Sequence, residues 1–187
     1  MAGGVDIKLH GRTVHTVFDL LGTKEDDITY SVGWGLARSE SFSYALLNEV
    51  FEGEFGTLSA ILLQQSESGY GRTDIELQTQ DAHLVVEAKR GWDLPDLAQL
   101  TTLNRTSAPR KAIAVVSECA RHYPPVKALP RSIEGVPVHY VPWSRVGALA
   151  AKAGSDSRNH AEKRLFRRET RDGRLSRLPW NFAVAIR

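Results

Sequence analysis

The chain has 187 residues, of which 42% are hydrophobic and 25% charged, and its net charge is only +2. Those values fit one globular domain with a core of ordinary size. A single cysteine, Cys119, excludes an internal disulfide and points to a reducing, intracellular setting. Residues 1–10 hold no apolar run of signal-peptide length, and the longest apolar stretches, such as 112–116, are too short to span a bilayer, so a cytoplasmic protein is expected. Charge is uneven: residues 156–187 carry nine Lys or Arg against four Asp or Glu, which leaves the rest of the chain mildly acidic. Such a basic end suits a protein that meets phosphate, and equally suits a solvated tail.

In chain order, residues 1–23 read as an N-terminal arm, where loose alternation at Val5, Ile7 and Leu9 suggests a short strand. Thr23 is placed to cap a helix over 24–38, with Asp26 three positions on as its capping partner. A second helix begins near Ser41 and carries Phe42, Ala45, Leu46 and Val50 at helical spacing. The period then changes. Residues 58–64 read as a strand, Gly69-Tyr70-Gly71 as a turn, and 72–79 and 83–89 as two alternating strands joined by a tight polar turn. Asp93 and Pro95 open a helix to about residue 105, with proline in its tolerated first turn. Strands follow over 111–117 and 136–141, and Ser144 is placed to cap a last helix to about residue 152. Residues 154–159 read as a polar linker and 160–171 as a basic helix. The expectation is an arm over 1–23, a core over 24–152 and a basic extension over 153–187. The core is expected to be α/β, a mixed sheet of four to five strands flanked by helices on both faces.

The chemistry-bearing residues concentrate in Thr73-Asp74-Ile75-Glu76-Leu77 and Leu84-Val85-Val86-Glu87-Ala88-Lys89. Side chains alternate along a strand, so Glu87 and Lys89 share one face, roughly 7 Å apart. A hairpin centred between Gln80 and Asp81 sets Asp74 directly opposite Glu87, whether the loop holds two residues or four. Such neighbours have Cβ atoms about 5 Å apart. Two carboxylates that close repel unless a cation sits between them. Mg²⁺ takes one or two carboxylates at about 2.0–2.1 Å and keeps several waters. The pair meets that need, with Mn²⁺ as the expected substitute. Beside a metal-held water, Lys89 can orient or help deprotonate the nucleophile and offset transition-state charge. On the first helix, Glu25 falls within about 20° of Val32 and Leu36, on the apolar stripe, where a carboxylate needs a partner. A plainer reading of the same hairpin is a wet face on which Lys89 is an ordinary cross-strand ion-pair partner. The combination of an inward helix acid, a strand Asp, a hairpin, an E-x-K and a capped helix favours the site.

The order of these pieces resembles the PD-(D/E)XK nuclease superfamily, the restriction-endonuclease-like fold. The matching pieces are Glu25 in Lys24-Glu25-Asp26-Asp27, Asp74 in Gly71-Arg72-Thr73-Asp74, Glu87-Ala88-Lys89, and Gln99 in Leu97-Ala98-Gln99-Leu100, and the likeness spans residues 24–152. Thr73 stands where many members carry proline. The resemblance implies that Asp74 and Glu87 ligate metal, joined by the backbone carbonyl of Ala88 and by Glu25, often through water. It implies that Lys89 is the catalytic lysine and that Gln99 is an active-site hydrogen-bonding group. The activity implied is Mg²⁺-dependent hydrolysis of DNA, ahead of RNA, in restriction, defence or repair. Double-strand cutting often pairs two sites by two-fold symmetry, so a homodimer or a larger protein complex is an expected assembly. The rival expectation is a non-catalytic nucleic-acid-binding or interaction module on the same fold.

Other residues carry weaker signals. Gly69-x-Gly71-x-x-Asp74 lacks the third glycine of a dinucleotide loop and leads into a strand, which excludes a Rossmann site. His83 is expected to be an exposed strand residue and His139 a satisfied core or edge residue. Cys119 lacks a CxxC partner, which argues against a thiol nucleophile. Trp34 and Trp143 are expected in the core, whereas Trp92, just past Lys89-Arg90-Gly91, is placed to line a cleft. Tryptophans can stack bases. Arg72, Arg90, Arg105 and Arg110 can contact phosphate, although each alone reads as a solvated charge.

Overall fold

Burial patterns along the chain sort the molecule into a sheet with two covered faces. The computed structural model describes residues 24–67, 71–104 and 110–156, together with the short antiparallel pair β1 (Ile7–Leu9) and β2 (Arg12–Val14). The remainder of the N-terminal arm, residues 68–70 with most of the expected turn, residues 105–109, Trp180 and the basic extension from 157 lie outside the described residues.

Helix α1 (Glu25–Arg38) opens with three acids in its first turn, which complement the positive end of its dipole. Its start is fixed by Asp27, whose Oδ2 accepts from the Lys24 N–H at 2.8 Å. The expected pairing of Thr23 with Asp26 is therefore shifted by one residue. Ser39 ends α1 and caps α2 (Glu40–Val50), accepting from the Phe42 N–H at 3.3 Å. There follow β3 (Leu58–Leu63), a small antiparallel pair β4 (Ser66–Glu67) and β5 (Gly71–Arg72), and then β6 (Ile75–Thr79) and β7 (His83–Ala88). After these come α3 (Leu97–Leu103), β8 (Lys111–Val116), α4 (Pro124–Lys127), β9 (Ser132–Ile133), β10 (Val136–Tyr140) and α5 (Trp143–Asp156).

The main sheet has six strands in the order β3-β6-β7-β8-β10-β9, not the four to five expected. The addition is β9, whose two residues pair antiparallel with Val136 and Pro137 through a turn at Glu134 and Gly135. A two-residue strand has no period to read. Strands β7, β8 and β10 are mutually parallel, and β6 runs antiparallel to both of its neighbours, β3 and β7. The β6–β7 register pairs Ile75 with Val86, Glu76 with Val85 and Leu77 with Leu84, as the hairpin centre predicts.

Alternation then divides the core. Ile75, Leu77, Leu84, Val86, Ala112 and Ala114 pack with Val32, Leu36, Phe42 and Leu46 of α1 and α2 and with Val146 and Ala150 of α5. Val85, Ile113 and Val115 face the other way and pack with Leu100 and Leu103 of α3. Helices thus cover both faces. No helix among the described residues is long and apolar enough to cross a membrane.

Several local expectations are corrected. Asp96 caps α3 by accepting from the Gln99 N–H at 2.7 Å, so Pro95 precedes the helix instead of sitting in its first turn. Helix α5 begins at Trp143, one residue before Ser144, with the Pro142 carbonyl accepting from Arg145 and Val146, and continues to Asp156 through part of the expected linker. Trp34 is 42% exposed and lies under the Arg38 guanidinium, because it stands opposite the Val32 and Leu36 stripe. Trp143 is buried, as expected. His83 is buried and pairs with Glu76 at 2.9 Å, because β7 is an interior strand covered on both faces.

The two-faced core gives a direct expectation. Leu84 is fully buried between β6 and the α1–α2 layer. Leu84→Ala is expected to cost about 2–5 kcal/mol, read as a lowered urea midpoint at unchanged slope. A loss below about 1 kcal/mol would show that this layer is loosely packed.

Candidate active site

The parallel strands β7, β8 and β10 end at one edge of the sheet, and antiparallel β6 begins there. Loops at the carboxyl ends of parallel strands form natural ligand crevices, because backbone groups there are no longer consumed by the ladder. Of five residues singled out from the sequence, Glu25, Glu87, Lys89 and Gln99 are joined at this edge by hydrogen bonds, and Asp74 is tied to the same strand end through the Ala88 N–H.

Asp74 stands one residue before β6, within the span expected as continuous strand, and one step beyond the last paired residues, Ile75 and Val86. Both acids are buried, Asp74 at 5% and Glu87 at 2% exposure, and Glu87 points to the α3 face. Asp74 Oδ2 accepts from the Ala88 N–H at 2.8 Å, and its Oδ1 from Gln64 Nε2 at 3.3 Å. Glu87 Oε1 accepts from Lys89 Nζ at 2.6 Å and from Gln99 Nε2 at 2.6 Å. Gln99 reaches that oxygen from the first turn of α3, where the Asp96 cap fixes its backbone.

Glu25 is the acid of α1 that arrives at the site. Its Oε1 lies 3.5 Å from Lys89 Nζ, and its Oε2 accepts from the Arg90 N–H at 3.0 Å. It is half-exposed at the rim, not turned inward with Val32 and Leu36, because the first helical position extends past the sheet edge. Asp26 pairs instead with Arg72 at 2.8 Å, and Asp27 serves as cap partner.

The electrostatics follow from burial. Desolvation raises the Asp74 pKa above the usual carboxylate range, against the opposing pull of the Ala88 N–H and the Lys89 charge. Glu87 is pushed up to about 7, first by burial and then by the charge of Asp74, with Lys89 only partly compensating. Burial works against the Lys89 charge, but the hydrogen bond to Glu87 and the charges of Glu87, Glu25 and Asp74 outweigh it and raise its pKa. Lys89 is therefore an ammonium at neutral pH. It is suited to orienting and to stabilising negative charge, and poorly suited to abstracting a proton.

Residue type and spacing left Gln64 unmarked. It follows β3 with φ of 54°, in the left-handed region, and its N–H donates to the Asp74 carbonyl at 3.0 Å. Its Nε2 is shared between Asp74 Oδ1 and Thr29 Oγ1, while its Oε1 is buried with no partner. Thr29 Oγ1 already donates to the Asp26 carbonyl, which fixes this amide orientation. An unusual backbone and an unsatisfied acceptor thus lie directly beside a buried acid. Trp143 also supports the edge, donating from Nε1 to the Lys89 carbonyl at 3.0 Å.

The donor set suits a hard cation. In a strand the N–H and C=O of one residue point to the same side, so the Ala88 carbonyl faces the side of Asp74, as its N–H does. Two carboxylates and a carbonyl match the preference of Mg²⁺ for oxygen ligands. Among the described residues no group of three or more His, Cys, Asp and Glu side chains is arranged to hold a metal, since Glu25 is turned to Lys89 and Arg90. A separate cavity of ≈ 530 Å³, lined by Glu49, Arg121, Arg131, His139 and Tyr140 among others, includes none of the five candidate residues. Cys119 is buried, and its Sγ donates to the Trp92 carbonyl. Arg110 donates to the carbonyls of Glu52 and Glu54 instead of facing the site. No protein-family model, curated protein or solved structure matches the chain.

The raised pKa of Glu87 has a sign that can be checked. A carboxyl with a raised folded-state value holds its proton more tightly folded than unfolded, so stability falls as pH climbs from about 4.5 to about 7. Glu87→Gln keeps the shape without the charge. At pH 8 without divalent ions it is expected to exceed the unsubstituted protein by on the order of 3 kcal/mol in urea unfolding. The difference should vanish at pH 4. Equal stability at both pH values would mean that the ionised Glu87 costs nothing.

Proposed function

We propose that this protein is a Mg²⁺-dependent phosphodiesterase of the PD-(D/E)XK type that hydrolyses DNA. The observation that carries the reading is the meeting of Asp74 and Glu87, buried and facing across a hairpin, with Lys89 bonded to Glu87 at 2.6 Å. Buried like charges are expensive unless a cation is meant to lie between them.

Asp74, Glu87 and the Ala88 carbonyl are the groups that would hold Mg²⁺ or Mn²⁺, with Glu25 reaching in through water. When bound, such an ion supplies a water of lowered pKa and neutralises charge on the phosphate. The chain's own groups do the positioning. Gln99 and Lys89 fix Glu87 Oε1, and the Ala88 N–H fixes Asp74 Oδ2, so each carboxylate keeps its other oxygen less committed. The Lys89 ammonium can donate to a non-bridging phosphate oxygen as charge builds there. In the hydrolysis, the water oxygen bonds to phosphorus and gives up a proton to solvent, the bond from phosphorus to the departing sugar oxygen breaks, and that oxygen takes up a proton from solvent.

One observation favours a non-catalytic module on the same fold. Glu87 Oε1 is fully engaged by Lys89 and Gln99, an arrangement stable without an ion. A cleavage assay separates the two readings. Plasmid or oligonucleotide DNA is expected to be cut with Mg²⁺ or Mn²⁺ and spared with chelator. Lys89→Ala and Asp74→Asn are each expected to lower the rate at least about 100-fold while the fold is retained by circular dichroism. DNA retention without cutting under every metal condition would favour the binding module.

A further inference from the structure

The turn that follows Lys89 displays a tryptophan. Trp92 is 63% exposed, beside the exposed Arg90. Three residues of chain reach at most about 11 Å, so the Trp92 backbone lies within that distance of the Lys89 backbone. A single exposed aromatic is commonplace on protein surfaces. This one differs in how its backbone is held.

Every residue of the turn is tied down. The Lys89 N–H donates to the Val116 carbonyl at 2.7 Å, and the Lys89 carbonyl accepts from Trp143. The Arg90 N–H donates to Glu25. Gly91, at φ of +67°, donates to Glu118 Oε1 at 2.9 Å and accepts from the Glu118 N–H at 3.0 Å. The Trp92 carbonyl accepts from Cys119 Sγ. The indole is braced edge-on by Tyr123, with centroids 5.1 Å apart at 86°. Such a contact uses the ring without covering both of its faces. An aromatic face fixed beside a cationic side chain and a phosphate-reactive site is the chemistry that receives an unpaired nucleobase. A base within a duplex is already stacked and has no free face to offer.

We propose that Trp92, braced by Tyr123, stacks an unpaired base of the substrate strand next to the scissile phosphate, so that single-stranded DNA is the preferred substrate class. The inference rests on the nuclease reading of the Asp74–Glu87–Lys89 site and adds the identity of its substrate. Its test compares kcat/KM for one labelled oligonucleotide, single-stranded and annealed to its complement, with Mg²⁺ present. The unsubstituted protein is expected to favour the single strand by about tenfold or more. Trp92→Ala should lose about tenfold on the single strand and little on the duplex, and Trp92→Phe, which keeps a ring, should lose less than about threefold. Preference for the duplex, or a Trp92→Ala variant that affects both substrates equally or neither, would overturn the stacking while leaving the nuclease reading intact. Failure of the unsubstituted protein to cut either strand form would overturn the nuclease reading and the stacking with it.

Discussion

The pairing of β6 with β7 is the constraint on which the rest of the molecule depends. It sets Ile75 against Val86 and Leu77 against Leu84 on the face covered by α1, α2 and α5. Each such side chain contributes roughly 1.5–3 kcal/mol by leaving water. Because side chains alternate with a period of two, a slip of one residue would turn these apolar groups to the α3 face and drive the acids into the main core. The apolar face therefore selects the one register that also brings Asp74 and Glu87 together. Burial of hydrocarbon on one side holds in place an electrostatically unfavourable pair on the other.

The acids are kept ionisable by groups drawn from several neighbouring elements. Gln64 comes from the end of β3, Gln99 from α3, and the Ala88 N–H from the strand itself, whereas Glu25 of α1 bonds to Lys89 and its charge raises both acids. These bonds soften the cost of burial without removing it, since both carboxylates retain raised pKa values. Lys89 is the main counter-charge, and its own raised value keeps it charged. The whole arrangement sits at the strand ends, where backbone donors of Lys89, Arg90 and Gly91 are free to pin the loop to Val116, Glu25 and Glu118.

The parts legible in the sequence were those set by strict local rules. Hairpin symmetry determined the register of β6 against β7, whereas helical angle marked Glu25 but put it on the inward stripe, and the structure leaves it at the rim. Strand and helix order followed from periodicity, with ends shifted by a residue or a few because caps depend on tertiary contacts, as at Lys24 and Asp96. What was illegible depended on the assembled layers. His83 has the alternation of a wet strand face, yet β7 is interior and both its faces are covered. Gln64 carries no motif, and its left-handed backbone is imposed by the turn between β3 and β4. Trp34 shows the opposite error, since its angle on α1 marked it as exposed and residue type suggested otherwise.

The central claim is that the facing acids share one divalent ion. Anomalous diffraction from crystals soaked in Mn²⁺ tests it directly. The expected result is one strong peak within about 2.0–2.4 Å of an oxygen of Asp74 and of Glu87, with the Ala88 carbonyl completing the set. A well-ordered site with no peak between those two carboxylates at millimolar Mn²⁺, or with manganese bound only elsewhere, would contradict the account.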